Sequence, residues 1–174
     1  MITLTHRQVE CLDFVFKMEG KGKVLKDVDG ITRWGICSKF YPDEDIANMD
    51  KERASFILLR DYWPSELTCP VDIIVFDASV NCGTKRSIMW LQSTINGLIP
   101  RDYLKVDGVL GPITKKAIEF CDEPLLVLGL LHRRLLYYHN LRRVDSINYQ
   151  GWIGRVIDLM GWIKGGCFNA TFEN

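Results

Sequence analysis

The sequence predicts a mainly α-helical chain with one small β-hairpin or loop excursion near residues 22–36. Three observations carry that expectation. Apolar residues recur at helical spacing along most of the chain. Start and stop signals bracket those stretches. Strand patterns alternating with helix patterns, the mark of a parallel sheet, are absent.

The first helix opens on a capping box formed by Thr5 and Gln8. Val9, Leu12, Val15 and Phe16 follow on one face, and the pattern stops at Met18-Glu19-Gly20. Residues 20–36 hold four glycines, which suit turns or a hairpin. A second helix is expected from Asp50, running through Ala54, Ile57, Leu58 and Tyr62, to near Pro64. A third starts at Pro70 and runs as VDIIVFDASVNCG to Gly83, apolar nearly all round and so suited to the core. A fourth covers Thr84 to Asn96, with Gly97 behind it. After the loop LIPRDYLKVDGVLG a fifth opens at Pro112. The last two are expected over Pro124–Arg143 and Tyr149–Ile163, with a frayed tail beyond. The expected organisation is a catalytic lobe over 1–92, a helical lobe over 93–165 packed with it, and a tail over 166–174.

At 47% hydrophobic and 25% charged, the chain can bury a sizeable core. A net charge of zero counts against a polyanion as main partner, so nucleic acid is not expected. The longest apolar run, Leu125–Leu131, is too short to span a bilayer, so stable membrane insertion is not expected either. No signal peptide is visible. Six scattered cysteines form no C-x-x-C pair and read as reduced, buried residues of a cytosolic product. His132 and His139 lack a third ligand nearby, so no metal is expected.

The segment KMEGKGKVLKDVDGITRWGI, residues 17–36, departs from this plain pattern. Glu19 falls at a helix end, where the helix dipole and apolar neighbours such as Phe16 and Met18 disfavour an anion. Asp27 and Asp29 fall in a polar stretch that keeps carboxylates ionised. Two carboxyl groups with opposed environments are what glycoside hydrolysis requires, one giving a proton and the other holding water or stabilising positive charge.

This segment resembles the opening of phage-type lysozymes, and more closely that of the glycoside hydrolase family 108 muramidases, E-G-G followed by D-P-G-G-x-T-x-x-G-I-T. In that frame Glu19 matches the catalytic glutamate, Asp27 the aspartate, Thr32 the threonine, and Gly35-Ile36 the G-I. Lys21 replaces the second glycine, Asp29 stands where a glycine belongs, and Cys37 replaces the final threonine, which leaves Asp27 and Asp29 both open as the second carboxylate. FDASVNCG (76–83), VDGVLGPITKKAI, YYHNLRR and YQGWIGRV resemble later stretches of the family in the same order.

The resemblance implies a lysozyme-like helical fold and an N-acetylmuramidase needing no cofactor. Glu19 would be the acid, Asp27 the water-orienting or charge-stabilising group, and Thr32 a second hold on that water. Asp29 and Trp34 would bind substrate. Asp77 and Asn81, at i and i+4, could line the sugar cleft or serve as hydrogen-bonding groups between helices. The turn at Asp107-Gly108 could bind cell wall or only lead into a helix. The arginines of 132–143 are expected on a solvated face, with Leu135, Leu136, Tyr138 and Leu141 inward. A monomeric phage endolysin, made in the bacterial cytoplasm and acting on the wall after release, is the expected setting, with a bacterial homologue delivered by a secretion system as the alternative. A lytic transglycosylase and a non-catalytic peptidoglycan-binding protein are the rivals.

Overall fold

The computed structural model describes residues 3–27, 30–99, 103–143 and 145–166. Its elements are α1 (His6–Met18), β1 (Leu25–Asp27), β2 (Gly30–Arg33), β3 (Ile36–Cys37), α2 (Lys51–Tyr62), α3 (Val71–Cys82), α4 (Thr84–Leu98), α5 (Pro112–Ile118), α6 (Glu123–Leu141) and α7 (Ser146–Gly166). The fold is mainly helical, with a three-stranded antiparallel sheet in the order β1-β2-β3 where a small hairpin or loop excursion was expected. Backbone contacts divide it into two compact units, Met1–Trp63 and Pro64–Asn174.

In the first unit the Thr5–Gln8 capping box forms as the sequence predicts: Thr5 Oγ1 accepts from Gln8 N at 3.2 Å, and Gln8 Oε1 accepts from Thr5 N at 2.9 Å. Such a cap contributes about 1 kcal/mol. Cys11, Leu12, Phe14, Val15 and Phe16 form the buried stripe of α1. Val9, expected inward, lies 41% exposed. The Asp50 side chain caps α2 by accepting from Arg53 N at 2.7 Å, and α2 ends just before Pro64, whose ring disfavours helix in the residue ahead of it.

In the second unit every residue of α3 from Val71 to Ser79 is buried, which explains its near-continuous apolar run. The helix packs against α4 and α6. Ser87 Oγ of α4 donates to Val75 O of α3 at 2.9 Å. Further along, α4 runs past the expected end at Asn96, through Gly97 to Leu98. Its last turns serve as the anchor for the following loop. Asn96 clamps both backbone groups of Leu104 at 2.8 Å, and Gln92 bonds Asp107, Gly108 and Val109. The Asp107-Gly108 turn thus spends its polar groups internally. α7 begins at Ser146, earlier than Tyr149, because Asp145 Oδ1 accepts from Asn148 N at 3.0 Å as a cap.

The α4–α6 contact depends on Gly129. A methyl group there would sit 2.4 Å from Thr94 Cγ2. Thr94 cannot rotate away cheaply, since its hydroxyl donates to Trp90 O and accepts from Arg133 Nε. Gly129→Ala is therefore expected to destabilise the fold by about 1–3 kcal/mol. Urea denaturation checks this, and an unchanged midpoint would show that the two helices separate without cost.

Two expectations are corrected here. The inner face of α6 carries Leu126, Val127, Leu130, Leu131, Arg134 and Tyr138, while Leu136 points outward. Arg134, expected in solvent, lies inside because its counter-charge does. The second correction concerns the thiols. Cys11, Cys37, Cys82 and Cys121 are free, but Cys69 is disulfide-bonded. Disulfide pairing follows spatial approach, which scattered sequence positions do not display.

Candidate active site

Glu19 caps the C-terminal end of α1, its N–H bonded to Val15 O at 2.9 Å. Gly20 follows with φ +78°, and Lys21 N then donates to Phe16 O at 2.8 Å. This is a Schellman stop, which needs a residue tolerant of the left-handed region just after the cap. The glycine therefore fixes where α1 ends and leaves Glu19 on its final turn, half-buried.

The sheet supplies what faces it. β2 pairs with β1 in the register Leu25↔Thr32, Lys26↔Ile31 and Asp27↔Gly30. It pairs with β3 as Thr32↔Cys37 and Arg33↔Ile36. The two residues between β2 and β3, Trp34 and Gly35, have φ of 56° and 81°, the signature of a type I′ turn. A methyl group on Gly35 would lie 2.8 Å from Glu19 Cγ and 3.1 Å from Cδ. The turn backbone is thus laid against the Glu19 side chain, and only glycine leaves room for both.

A tryptophan at positive φ costs about 1–2 kcal/mol. Its surroundings offset that strain. The indole N–H donates to Met49 O at 3.2 Å, and the ring meets Phe16 edge-on at 5.0 Å. It also lies against Gly22, where a methyl group would come within 2.3 Å of the indole. Arg33 ties the same region together, donating from Nε to Gly22 O at 3.0 Å and from Nη1 to Ala47 O at 2.6 Å. Sequence reasoning missed Arg33. Its strand position gave no sign that its partners would be backbone carbonyls of two separate loops.

The expected site residues fall into three groups. Glu19, Thr32 and Trp34 all belong to the first unit, with Thr32 half-buried in the central strand of the sheet. Asp27 is the last residue of β1, opposite Gly30. Asp29 lies outside the described residues. Trp34 also lines a shallow depression of about 240 Å³ with Asp13, Phe16, Lys17, Lys21 and Lys51. Glu19 is not part of its wall, so this hollow and the Glu19 carboxylate are distinct features. Among the described residues no group of His, Cys, Asp or Glu is placed to hold a metal.

Asp77 and Asn81 belong to the second unit. Asp77 has no exposed surface, so of its two expected roles it takes that of a hydrogen-bonding group between helices and not that of a cleft residue. Its Oδ2 accepts from Arg134 Nη1 at 2.5 Å, and its Oδ1 accepts from Arg155 Nη2 at 2.7 Å and Nε at 3.0 Å. Burial pushes the Asp77 carboxyl upward, but the charges of Arg155 and Arg134 outweigh it and hold the group below the ordinary carboxylate range. Arg134 Nε donates to Tyr138 Oη at 2.8 Å, Tyr138 donates to Asn81 Oδ1, and the Tyr138 ring stacks on Trp152 at 5.3 Å. Asn81 itself is half-buried. Sequence reasoning missed Arg134 and Arg155 as partners of Asp77, and Tyr138 as a partner of Asn81. Tyr138 and Arg155 sit in YYHNLRR and YQGWIGRV, so those family-like stretches and FDASVNCG meet in one buried network.

Comparison with known proteins bears on the family and the fold. Residues 12–83 match the family model described as glycosyl hydrolase 108, the family that the sequence resembles. Among solved structures the fold is similar to that of Brucella abortus SagA, with a TM-score of 0.76 and 22% identity over 91% of this chain and 94% of that one. The mainly α, lysozyme-like fold is the one expected. No curated protein matches significantly.

Proposed function

Starting from a glycosyl hydrolase 108 segment over residues 12–83, we propose that this protein is a peptidoglycan hydrolase, an N-acetylmuramidase with Glu19 as its general acid. The observation that carries the reading is the setting of Glu19: it ends α1 inside the matched segment, and the Gly35 turn packs on its side chain. A proton donor works best when its position is fixed before substrate arrives.

In this reading Glu19 protonates the oxygen of the β-1,4 bond between N-acetylmuramic acid and N-acetylglucosamine. The bond breaks, and positive charge develops at the anomeric carbon. Asp27, or Asp29 two residues on, stabilises that charge or takes the proton of the attacking water. Thr32 helps to hold the water. Trp34 and Asn81 are proposed substrate contacts. Carboxylates and a hydroxyl suffice for these steps, so no cofactor is invoked. The proposed setting is that of a phage endolysin, made in the host cytoplasm and acting once the inner membrane has been opened. Among the described residues no helix is long and apolar enough to cross a membrane.

The deciding experiment incubates the protein with purified sacculi and identifies the new ends by mass spectrometry. Reducing N-acetylmuramic acid ends support the proposal. Ends of 1,6-anhydro type would make it a lytic transglycosylase, and binding without fragments would make it a wall-binding protein only.

Gly35→Ala tests the fixed position of Glu19. The methyl group strains a left-handed residue by about 1–2 kcal/mol, and it also displaces the carboxyl. Activity is expected to fall roughly 10–100-fold, well beyond what the stability loss explains. Parallel thermal melts and reducing-end assays separate the two effects. Unchanged activity would mean that the turn does not set the acid.

A further inference from the structure

A chain of hydrogen bonds starts in the core of the second unit and ends at a half-buried amide. Arg134 is 1% exposed and can only donate, so Tyr138 Oη must accept its Nε–H. Tyr138 then has one hydrogen left, and Asn81 Oδ1 is where it goes. Cys82 Sγ lies 3.3 Å from the same oxygen as a second, weaker donor. In the structure the Asn81 amide stands with Oδ1 toward both of these donors.

It follows that Asn81 Nδ2 is turned away from the network. No described residue accepts from it. Among the described residues the buried side-chain polar atoms without a partner are Ser79 Oγ and Arg134 Nη2, so Asn81 Nδ2 reaches solvent. The groups behind it are rigidly held. Arg134 is clamped by Asp77, which Arg155 also holds, and the Tyr138 ring is stacked on Trp152.

We infer that Asn81 presents a pre-oriented amide donor to an acceptor oxygen of the glycan, namely an acetamido carbonyl or a sugar hydroxyl, and that Tyr138 and Arg134 are the positioning residues that aim it. This rests on the peptidoglycan reading above. A donor-only group at the surface pairs with an acceptor, and a donor that needs no reorientation binds without the entropy loss of ordering a free side chain. Asn81 is the only member of the chain that touches ligand. The others act through it.

The test is equilibrium binding of soluble glycan strands freed of stem peptides, measured in a Glu19→Gln background so that the probe is not consumed. Asn81→Ala is expected to weaken Kd about tenfold, the worth of one well-placed hydrogen bond. Tyr138→Phe keeps the ring but frees the amide, and should weaken Kd roughly three- to tenfold. Added to Asn81→Ala, it should change Kd by less than about twofold, which a merely structural tyrosine would not do. Asn81→Asp keeps the oxygen for Tyr138 and lacks the donor, so it should lose as much as Asn81→Ala; it carries the test even if Tyr138→Phe does not fold. Strands stripped of their acetyl groups distinguish the acceptors. If the Asn81 effect disappears with them, the acceptor is the carbonyl, and if it persists, a hydroxyl. Tight binding by the Asn81 variants, or equal costs of Tyr138→Phe in both backgrounds, would overturn this inference alone. A parent chain that binds no glycan would overturn the peptidoglycan reading with it.

Discussion

Glu19→Gln is expected to cut the release of reducing ends from sacculi by about 10²–10⁴-fold, while the melting temperature stays within a degree or two of the parent. Glutamine matches glutamate in size, so it fits against Gly35 as the native side chain does. It has no acidic proton to give. The loss should therefore lie in turnover and leave glycan binding intact. The same assay compares Asp27→Asn with Asp29→Asn, and the larger loss identifies the second carboxylate. A Glu19→Gln protein that kept half of the parent's activity would remove Glu19 from the reaction.

Asp77→Asn is expected to be the most destabilising single change in the second unit, at about 3–5 kcal/mol, lowering the melting temperature by roughly 10 °C. It removes the carboxylate that pairs with both Arg134 and Arg155, which are 1% and 8% exposed. Two guanidinium groups would then lose the counter-charge they share in the core. The effect should depend on pH. The folded carboxyl is held below its ordinary range despite burial, by Arg155 and Arg134. Its contribution is then fully present above the unfolded value of about 3.9 and is lost as pH falls through the lower, folded one. The stability gap between parent and Asp77→Asn should accordingly be widest near neutral pH and shrink below about pH 4. Denaturation curves across that range give the answer. A gap that does not change with pH would mean that charge pairing is not what Asp77 contributes.

Much of the architecture was legible because it is set locally. Thr5 and Gln8 announce the start of α1, and Glu19-Gly20 its end, through bonds between residues a few positions apart. The apolar run of α3 announced its place in the core. The segment around Glu19 could be recognised because its residues lie close together in the chain. Val9 and Leu136 show the limit of periodicity, since a helix with apolar residues on more than one face does not state which face turns inward.

The sequence by itself determined the helical class, the helix caps and the position of Glu19 on the last turn of α1. These rest on short-range bonds and on the backbone freedom of glycine. The tertiary structure alone decided that Arg134 and Arg155 lie in the core around Asp77, that Gly35 packs on Glu19, and that Cys69 is disulfide-bonded. A buried charge is tolerated only where an opposite charge reaches it, and Arg155 stands 78 residues from Asp77 along the chain. Such pairings depend on approach in space, and spacing in the sequence carries no record of it.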